Sequence, residues 1–239
     1  IIIDSLMPEY DQTRMENIEF IHSQTVKSKK MALFKTSSTE LRHLFIAWIA
    51  ISYAFAIIMA WIELNHIKPT TSQIFGPFIL DLMVISLVTV GISFIAHEMG
   101  HKFVAQKYGA WAEFRMSVNM LLLAILMAWQ IGILFAAPGA VQIFGPHLSK
   151  SQYGKVAASG PLMNLFLAFV FLPLLTDKGI LLEIGRWGVI INMLLAGFNM
   201  LPISVLDGRK VLAWSVPVYI GLFILILVVG IFMVNLLPP

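Results

Sequence analysis

Five long apolar runs, separated by short polar segments, dominate the pattern of the chain. Several of these runs exceed the length of roughly 18 residues that is typical of a membrane-spanning helix. The runs lie at 44–64, 78–104, 156–175, 180–201 and 213–237. This pattern predicts an all-α polytopic membrane protein with about five to six transmembrane helices.

A further apolar stretch lies between the second and third of these runs, at 116–144. It leads into AAPGAVQIFGP at 136–146, where two prolines and two glycines interrupt the helical pattern. Irregular backbone at membrane depth is tolerated where it lines a polar cavity or is buried in protein. We therefore expect a re-entrant or hairpin element that returns to the side from which it started. A helical hairpin that crosses the membrane twice is the alternative.

Composition and charge agree with a membrane protein. The chain is 59% hydrophobic and 12% charged, whereas charged residues make up about 25% of a soluble domain. Residues 1–43 are polar, show no signal-peptide pattern and are expected to form a cytoplasmic N-terminal segment. Residues 44–239 are expected to form the transmembrane domain. The net charge of +3 is modest and its cations lie mostly in loops, which does not favour nucleic-acid binding.

Lysine and arginine residues orient the chain. Five lie within 27–42, one lies within 65–76 and five lie within 102–155. Because cytoplasmic loops carry the excess of these residues, the N-terminus is predicted to be cytoplasmic. The second apolar run then ends at the cytoplasmic face. No organelle address is visible, so the cell membrane is the expected location.

The pentapeptide HEMGH, at 97–101, lies near the end of that second run. On a helix, His97 and His101 are one turn apart and project from one face. Two such imidazoles supply half of a tetrahedral Zn²⁺ site, and Glu98 is placed to act as a general base. A capping or buried polar cluster is the simpler interpretation, but polar groups at membrane depth are usually functional.

A catalytic zinc normally has three protein ligands. The chain has no cysteine, which leaves Asp207, Glu183 and Asp81 as candidates for the third ligand, with His147 as a weaker one in a loop. Asp207 is favoured because it follows the cytoplasmic end of a span parallel to the HEMGH helix. Glu183 begins that span, roughly 30 Å away, and Asp81 is roughly 24 Å along the helix from His97.

Three motifs together resemble the site-2 protease family of intramembrane zinc metalloproteases. HEMGH at 97–101 is similar to the family's zinc-binding helix, and GPLMN at 160–164 is similar to the opening of its next core span. NMLPISVLDG at 199–208 resembles the family's N-x-x-P…L-D-G motif. AAPGAV, from residue 136, is similar to its Gly-rich connecting segment. The resemblance covers about 77–215, the expected core of the domain.

The resemblance implies a role for each of these residues. His97, His101 and Asp207 would bind one Zn²⁺ per chain, which lowers the pKa of a bound water from about 15.7 toward ~7. Glu98 would take a proton from that water and pass it to the leaving amine. Asn199 would hold the substrate backbone or the developing oxyanion, and Asn164 is a weaker candidate for the same role.

Simpler roles remain open for several of these residues. An asparagine within a span often bridges helices, and this applies to both Asn164 and Asn199. Asp207 with Gly208 is also typical of a turn that ends a helix. Gly91 and Gly100 are expected to allow close approach between helices.

The expected substrate follows from the physics of the bilayer. A peptide bond inside a transmembrane helix is shielded by the helix's own hydrogen bonds, and exposing its amide to lipid costs several kcal/mol. Cleavage therefore needs local unwinding and a polar cavity. We expect regulated intramembrane proteolysis of a single-span membrane protein, cut near its cytoplasmic side after lateral entry from the lipid bilayer.

Two other functions use similar residues. A CAAX-type prenyl-protein protease also places zinc ligands in a membrane, but its third ligand is expected to differ from the aspartate of an LDG motif. A metal-binding transporter or scaffold would use the same ligands without proteolysis. Glu98 separates that second alternative from an enzyme, because a simple binding site has no use for a general base.

Overall fold

The computed structural model describes residues 35–134, 138–144, 148–203 and 205–238. All of these residues except Lys35 belong to one compact unit that begins at Thr36. Most of the described chain is helical. The helices are α1 Ser38–Glu63, α2 Thr71–Phe75, α3 Phe78–Ser86, α4 Ile92–Lys107, α5 Val118–Ile131, α6 Lys150–Phe171, α7 Ile180–Asn199, α8 Asp207–Trp214 and α9 Val216–Asn235.

Five helical segments of the described chain are long and apolar enough to cross a membrane. They are Ser38–Glu63, Phe78–Lys107, Lys150–Thr176, Ile180–Asn199 and Val216–Asn235. The prediction of an all-α polytopic membrane protein is confirmed in its class and in the number of spans.

The boundaries of two spans differ from the sequence pattern. α1 begins at Ser38, before the predicted position 44, because the Ser37 side chain caps it by accepting a hydrogen bond from the Glu40 N–H. The last apolar run, predicted as one span from 213, is broken at Ser215, whose extended backbone separates α8 from α9. Both differences arise from local capping, which an apolar count does not detect.

α3 and α4 form one continuous span joined by a π-helical turn at Leu87–Gly91. Such turns are frequent at functional sites. The turn packs against α1, where the Trp48 indole N–H donates to the Leu87 carbonyl at 3.0 Å. A Cβ atom at Gly91 would overlap the Trp48 ring, and one at Gly100 would lie 2.9 Å from the Ser159 carbonyl oxygen. The predicted close approaches at both glycines are confirmed.

The stretch after α4 folds as a small insertion. Strand β1 (Trp111–Met116) leads into α5, and strand β2 (Gly139–Phe144) follows it. The strands pair antiparallel and form a two-stranded ribbon, with Trp111 opposite Phe144 and Met116 opposite Gly139. The insertion therefore starts and ends at neighbouring positions, as a return to one side of the bundle requires.

The insertion differs from the sequence expectation in its detail. The two strands were not predicted, and its described part holds one helix rather than a hairpin of two. α5 has 14 residues, about 21 Å, which is shorter than the hydrocarbon core of about 30 Å. The helical hairpin that crosses twice is therefore wrong, and re-entry into the bilayer stays a prediction.

α6 lies at the centre of the helical packing. It contacts α4, α7 and α8, and its small residues Ala157, Ala158 and Ala168 are buried in the largest apolar core. Small side chains let helix backbones approach closely where lipid offers no hydrophobic driving force. This central position brings α6 beside both the HEMGH segment of α4 and the LDG segment that begins α8.

Candidate active site

Three side chains from two distant parts of the chain converge at one buried point. The Asp207 Oδ2 atom lies 2.9 Å from His101 Nε2 and 3.3 Å from His97 Nε2. The two Nε2 atoms are 3.1 Å apart. All three residues are buried, and among the described residues they form a group whose ligand atoms lie within 4.8 Å of one another.

The second nitrogen of each histidine is held by an oxygen. His97 Nδ1 lies 2.6 Å from Asn164 Oδ1, and His101 Nδ1 lies 2.7 Å from the Val156 carbonyl oxygen. Because these oxygens accept hydrogen bonds, each Nδ1 carries the proton and donates it. Each Nε2 then directs a lone pair toward the centre of the cluster, as a metal ligand requires.

A buried polar network fixes the orientation of the Asn164 amide. Its Nδ2 donates to the Ser93 carbonyl at 3.1 Å and to Asn192 Oδ1 at 2.9 Å. Asn192 is fixed in turn, because its own Nδ2 donates to Ser93 Oγ at 2.7 Å and to the Gly188 carbonyl at 2.8 Å. Since carbonyls only accept, both amides have one allowed orientation, and Asn164 must present its oxygen to His97.

The absence of a side chain at Gly160 makes room for the two imidazoles. A Cβ atom built there would lie 2.5 Å from His101 Nε2 and 2.6 Å from His97 Cε1. These distances are far below van der Waals contact. Gly160 and Asn164 are one turn apart on α6, so one face of this helix both positions His97 and accommodates the ligand rings.

Asp207 is the first residue of α8 and follows the extended Leu206. Its Oδ1 atom accepts a hydrogen bond from Lys210 Nζ at 3.1 Å, which leaves Oδ2 for the histidines. Burial acts to raise the pKa of the Asp207 carboxyl, but the positive charge that His101 and His97 carry when they are protonated outweighs it and holds that pKa well below its ordinary value. The Asp207 carboxyl is therefore anionic at neutral pH, as a candidate metal ligand has to be.

Glu98 is buried beside the cluster and interacts electrostatically with all three of its members. Its Oε2 atom accepts a hydrogen bond from the Val141 backbone N–H of β2 at 3.1 Å. One carboxylate oxygen is thus anchored by the ribbon, while the other is not used in that contact. A carboxylate held in this way beside a metal site is placed to exchange protons with a reacting group.

The other candidate ligands lie outside the cluster. Glu183 is in the first turn of α7, at the end opposite to Asp207, and Asp81 is exposed in the first turn of α3. His147 lies outside the described residues. Asn199 donates to the Leu195 carbonyl of its own helix at 3.0 Å, so its predicted contact with substrate stays a prediction.

Several site residues gave no signal in the sequence. Asn192 and Ser93 lie inside apolar spans without a motif, and Val141 acts through its backbone. Gly160 belongs to the GPLMN motif, but that motif gives no sign of its contact with the imidazoles. A polar residue inside an apolar span is the one available signal, since such residues usually face the interior of a helical bundle.

The donor set fits zinc. Zn²⁺ is bound by imidazole nitrogens and carboxylate oxygens, and a catalytic site uses three protein ligands with one open position. His97, His101 and Asp207 supply such a set. Their two Nε2 lone pairs converge at 3.1 Å, an arrangement that a cation stabilises and that would otherwise be repulsive.

Comparison with known proteins identifies relatives that share this chemistry. A provisionally named zinc metalloprotease of Methanocaldococcus jannaschii, MJ0611, is 42% identical over 188 residues, which cover 77% of this chain and 89% of the relative. YwhC of Bacillus subtilis, also provisionally named a zinc metalloprotease, is 29% identical over 58% of this chain and 72% of its own length. A second M. jannaschii protein, zinc metalloprotease MJ0392, is 26% identical over 51% of this chain and 31% of its own length.

No family model matches the chain, and no solved structure matches it significantly. The similarity to the first M. jannaschii protein nevertheless extends over most of both sequences. Together with the His97, His101 and Asp207 cluster and the five apolar helices, this similarity identifies the chain as a member of the zinc metalloprotease family, an integral membrane hydrolase with Zn²⁺ as its cofactor.

Proposed function

We propose that this metalloprotease is an intramembrane endopeptidase of the site-2 type, which cleaves a transmembrane helix of its substrate near the cytoplasmic side. One observation carries the proposal: in a buried cluster with Asp207, the residues His97, Glu98 and His101 belong to a helical segment that is apolar enough to cross a membrane. The resemblance of HEMGH, GPLMN and NMLPISVLDG to the three core motifs of that family supports it.

The chain's own residues account for the proton transfers of hydrolysis. Zn²⁺ held by His97, His101 and Asp207 supplies a Lewis acid and makes water acidic enough to react at neutral pH. Glu98 accepts a proton as the water oxygen bonds to the scissile carbonyl carbon. When the carbon–nitrogen bond breaks, Glu98 returns that proton to the leaving amine.

The substrate segment has to be extended, because a helical peptide bond is shielded by its own hydrogen bonds. The ribbon supports binding of such a segment. Val141 lies opposite Phe114 and uses its N–H for Glu98 rather than for β1, so its backbone groups point away from β1. We infer that the unwound substrate lies along this outer edge of β2, beside Glu98, as an added strand.

Two asparagines have different roles in this proposal. Asn164 positions His97, and both of its amide hydrogens are already used by Ser93 and Asn192. Asn199, near the end of α7, is only partly buried and donates to its own helix. Asn199 is therefore the better candidate for contact with the substrate backbone or a developing oxyanion, where one donor is typically worth ~3 kcal/mol.

The orientation of the enzyme rests on charge. Five lysine and arginine residues lie within 27–42 and five lie within 102–155, whereas one lies within 65–76. This distribution supports a cytoplasmic N-terminus and an active site that opens toward the cytoplasm of a cell membrane. The substrate is then a single-span membrane protein that enters laterally from the bilayer.

Mapping the cleaved bond tests this function. The full chain, reconstituted in lipid vesicles with zinc, would be given a single-span substrate whose helix carries an Asn-Pro pair in its cytoplasmic half. A matched substrate would carry Leu-Leu at the same place. We expect mass spectrometry to find a cut within the span, near the Asn-Pro pair, and much slower cleavage of the matched substrate. Cleavage only outside the span, at equal rates for both substrates, would contradict the proposal and indicate a membrane protease that cuts loops outside the bilayer.

A further inference from the structure

One turn beyond Glu98, helix α4 contributes one member of a buried ion pair. The Lys102 ammonium of α4 contacts the Glu40 carboxylate of α1, and both side chains are fully buried. Lys102 Nζ also donates to Thr36 Oγ1 at 2.9 Å. Burying two charges costs more than a well-packed apolar pair of the same size would, so such a pair is weak evidence for stability alone. The other hydrogen bonds of the pair show which part of the chain it positions.

The second oxygen of Glu40 binds the ribbon. Glu40 Oε1 accepts a hydrogen bond from the Phe114 N–H of β1 at 3.0 Å. Phe114 is paired with Val141 of β2, and the Val141 N–H donates to Glu98. In an antiparallel ribbon, two opposite residues that do not bond to each other direct their N–H groups outward, in opposite directions. One residue pair of the ribbon is thus held at both edges by carboxylates.

Helix α4 anchors both of these contacts. Glu98 and Lys102 are separated by four residues and lie on one face of the helix. Glu98 binds the outer edge of β2 directly, and Lys102 binds the outer edge of β1 through Glu40. The helix that carries the metal ligands therefore holds the ribbon at two points, and the distance between these points fixes where β2 lies relative to Glu98.

We propose that Glu40 and Lys102 are positioning residues of the protease, whose ion pair fixes β1, and through it β2, beside Glu98 and so sets the position of the substrate strand. This inference rests on the proposed function, since it assumes that the substrate lies along β2. It assigns the pair no contact with substrate or metal. Loss of the pair should therefore impair substrate binding while the metal site stays intact.

Three variants and one control test the proposal in the full chain. Lys102→Met leaves the Glu40 carboxylate without its cation, and Glu40→Gln leaves the Lys102 ammonium without its anion. The double variant removes both charges, and its glutamine oxygen still accepts from the Phe114 N–H. Lys107→Met makes the same change of residue at an exposed position of the same helix, and serves as the matched control.

The readouts are bound zinc per chain, kcat and KM for a single-span substrate, and hydrogen exchange of segments 111–116 and 139–144. We expect each single variant to keep one zinc while KM and the exchange of both strands rise by about tenfold, because a broken buried pair leaves an uncompensated charge. The double variant should return to within about threefold of wild type, since no charge is left unpaired. Lys107→Met should match wild type.

The outcomes separate this proposal from the proposed function. If wild type cleaves normally and both single variants keep the wild-type KM and hydrogen exchange, the positioning role is overturned but the proposed function is not. Loss of zinc together with activity in all three variants would show that the pair supports the whole fold, and would also overturn it. A wild-type protein that binds zinc and cleaves no membrane substrate would overturn the proposed function, whatever the exchange data show.

Discussion

Asn164 Oδ1 lies 2.6 Å from His97 Nδ1, although the two residues are 67 positions apart and belong to different helices. This contact places the His97 proton on Nδ1 and leaves the Nε2 lone pair available to a metal ion. The hydrogen bonds from Asn164 to Ser93 and Asn192 fix its amide in the orientation that this contact needs. The geometry of the metal site is therefore determined partly by residues that do not bind the metal.

Replacing Asn164 by alanine should weaken zinc binding. Residues that hold a metal-ligating histidine typically contribute 10–100-fold in metal affinity, and we expect a loss in that range, measured by competition with a chelator. Asn199→Ala is the matched control, because Asn199 bonds to the carbonyl of Leu195 in its own helix. Equal affinity in wild type and Asn164→Ala would show that His97 needs no such support.

Gly160→Ala should damage the metal site through sterics alone. The added methyl group would lie 2.5 Å from His101 Nε2, so the imidazoles must shift from the positions in which both face Asp207. We expect zinc affinity to fall by at least about tenfold, as for loss of a histidine's supporting contact. Gly197→Ala makes the same change on α7, where a Cβ atom meets nothing within 4 Å, and should bind zinc normally. Similar affinities in the two variants would contradict the packing described here.

Asp207→Ala should abolish stoichiometric zinc binding, because only two protein ligands would remain of the three that a catalytic site normally has. Glu183→Ala and Asp81→Ala remove the two carboxylates that the sequence also offered and that lie outside the cluster. Metal analysis after dialysis should find about one zinc per chain in these controls and in wild type. A full zinc content in Asp207→Ala, or a loss in Glu183→Ala, would assign the third ligand elsewhere.

The convergence of His97, His101 and Asp207 is predictable from the sequence alone, because its signals are local. The i, i+4 spacing of His97 and His101 places both rings on one face of any helix, and the parity of the spans brought Asp207 to the same end of the bundle. The length and polarity of the apolar runs likewise predicted five spans. These features depend on helix geometry and hydropathy, which act independently of tertiary packing.

The ribbon and the contacts around it were not predicted, for physical reasons. The strands are six residues each, with β1 just before the apolar stretch at 116–144 and β2 at its end, and neither is long enough for a period of two to stand out from its surroundings. In the sequence, Glu40 lies in a polar segment and Lys102 among cationic residues, yet both are fully buried. Their burial depends on each other, and a single sequence without contacts gives no sign of such a pairing.

The role of Glu98 is tested most directly by zinc content and cleavage measured together. Wild type and Glu98→Gln would be purified in detergent, loaded with zinc and incubated with one single-span membrane substrate. Glutamine keeps the shape of the side chain and can accept the Val141 hydrogen bond, but it is not a base at neutral pH. We predict about one zinc per chain in both proteins, cleavage by wild type and no measurable cleavage by Glu98→Gln. Equal function in the two proteins, or zinc binding without cleavage in both, would contradict the assignment of this membrane metalloprotease as an intramembrane peptidase with Glu98 as its base.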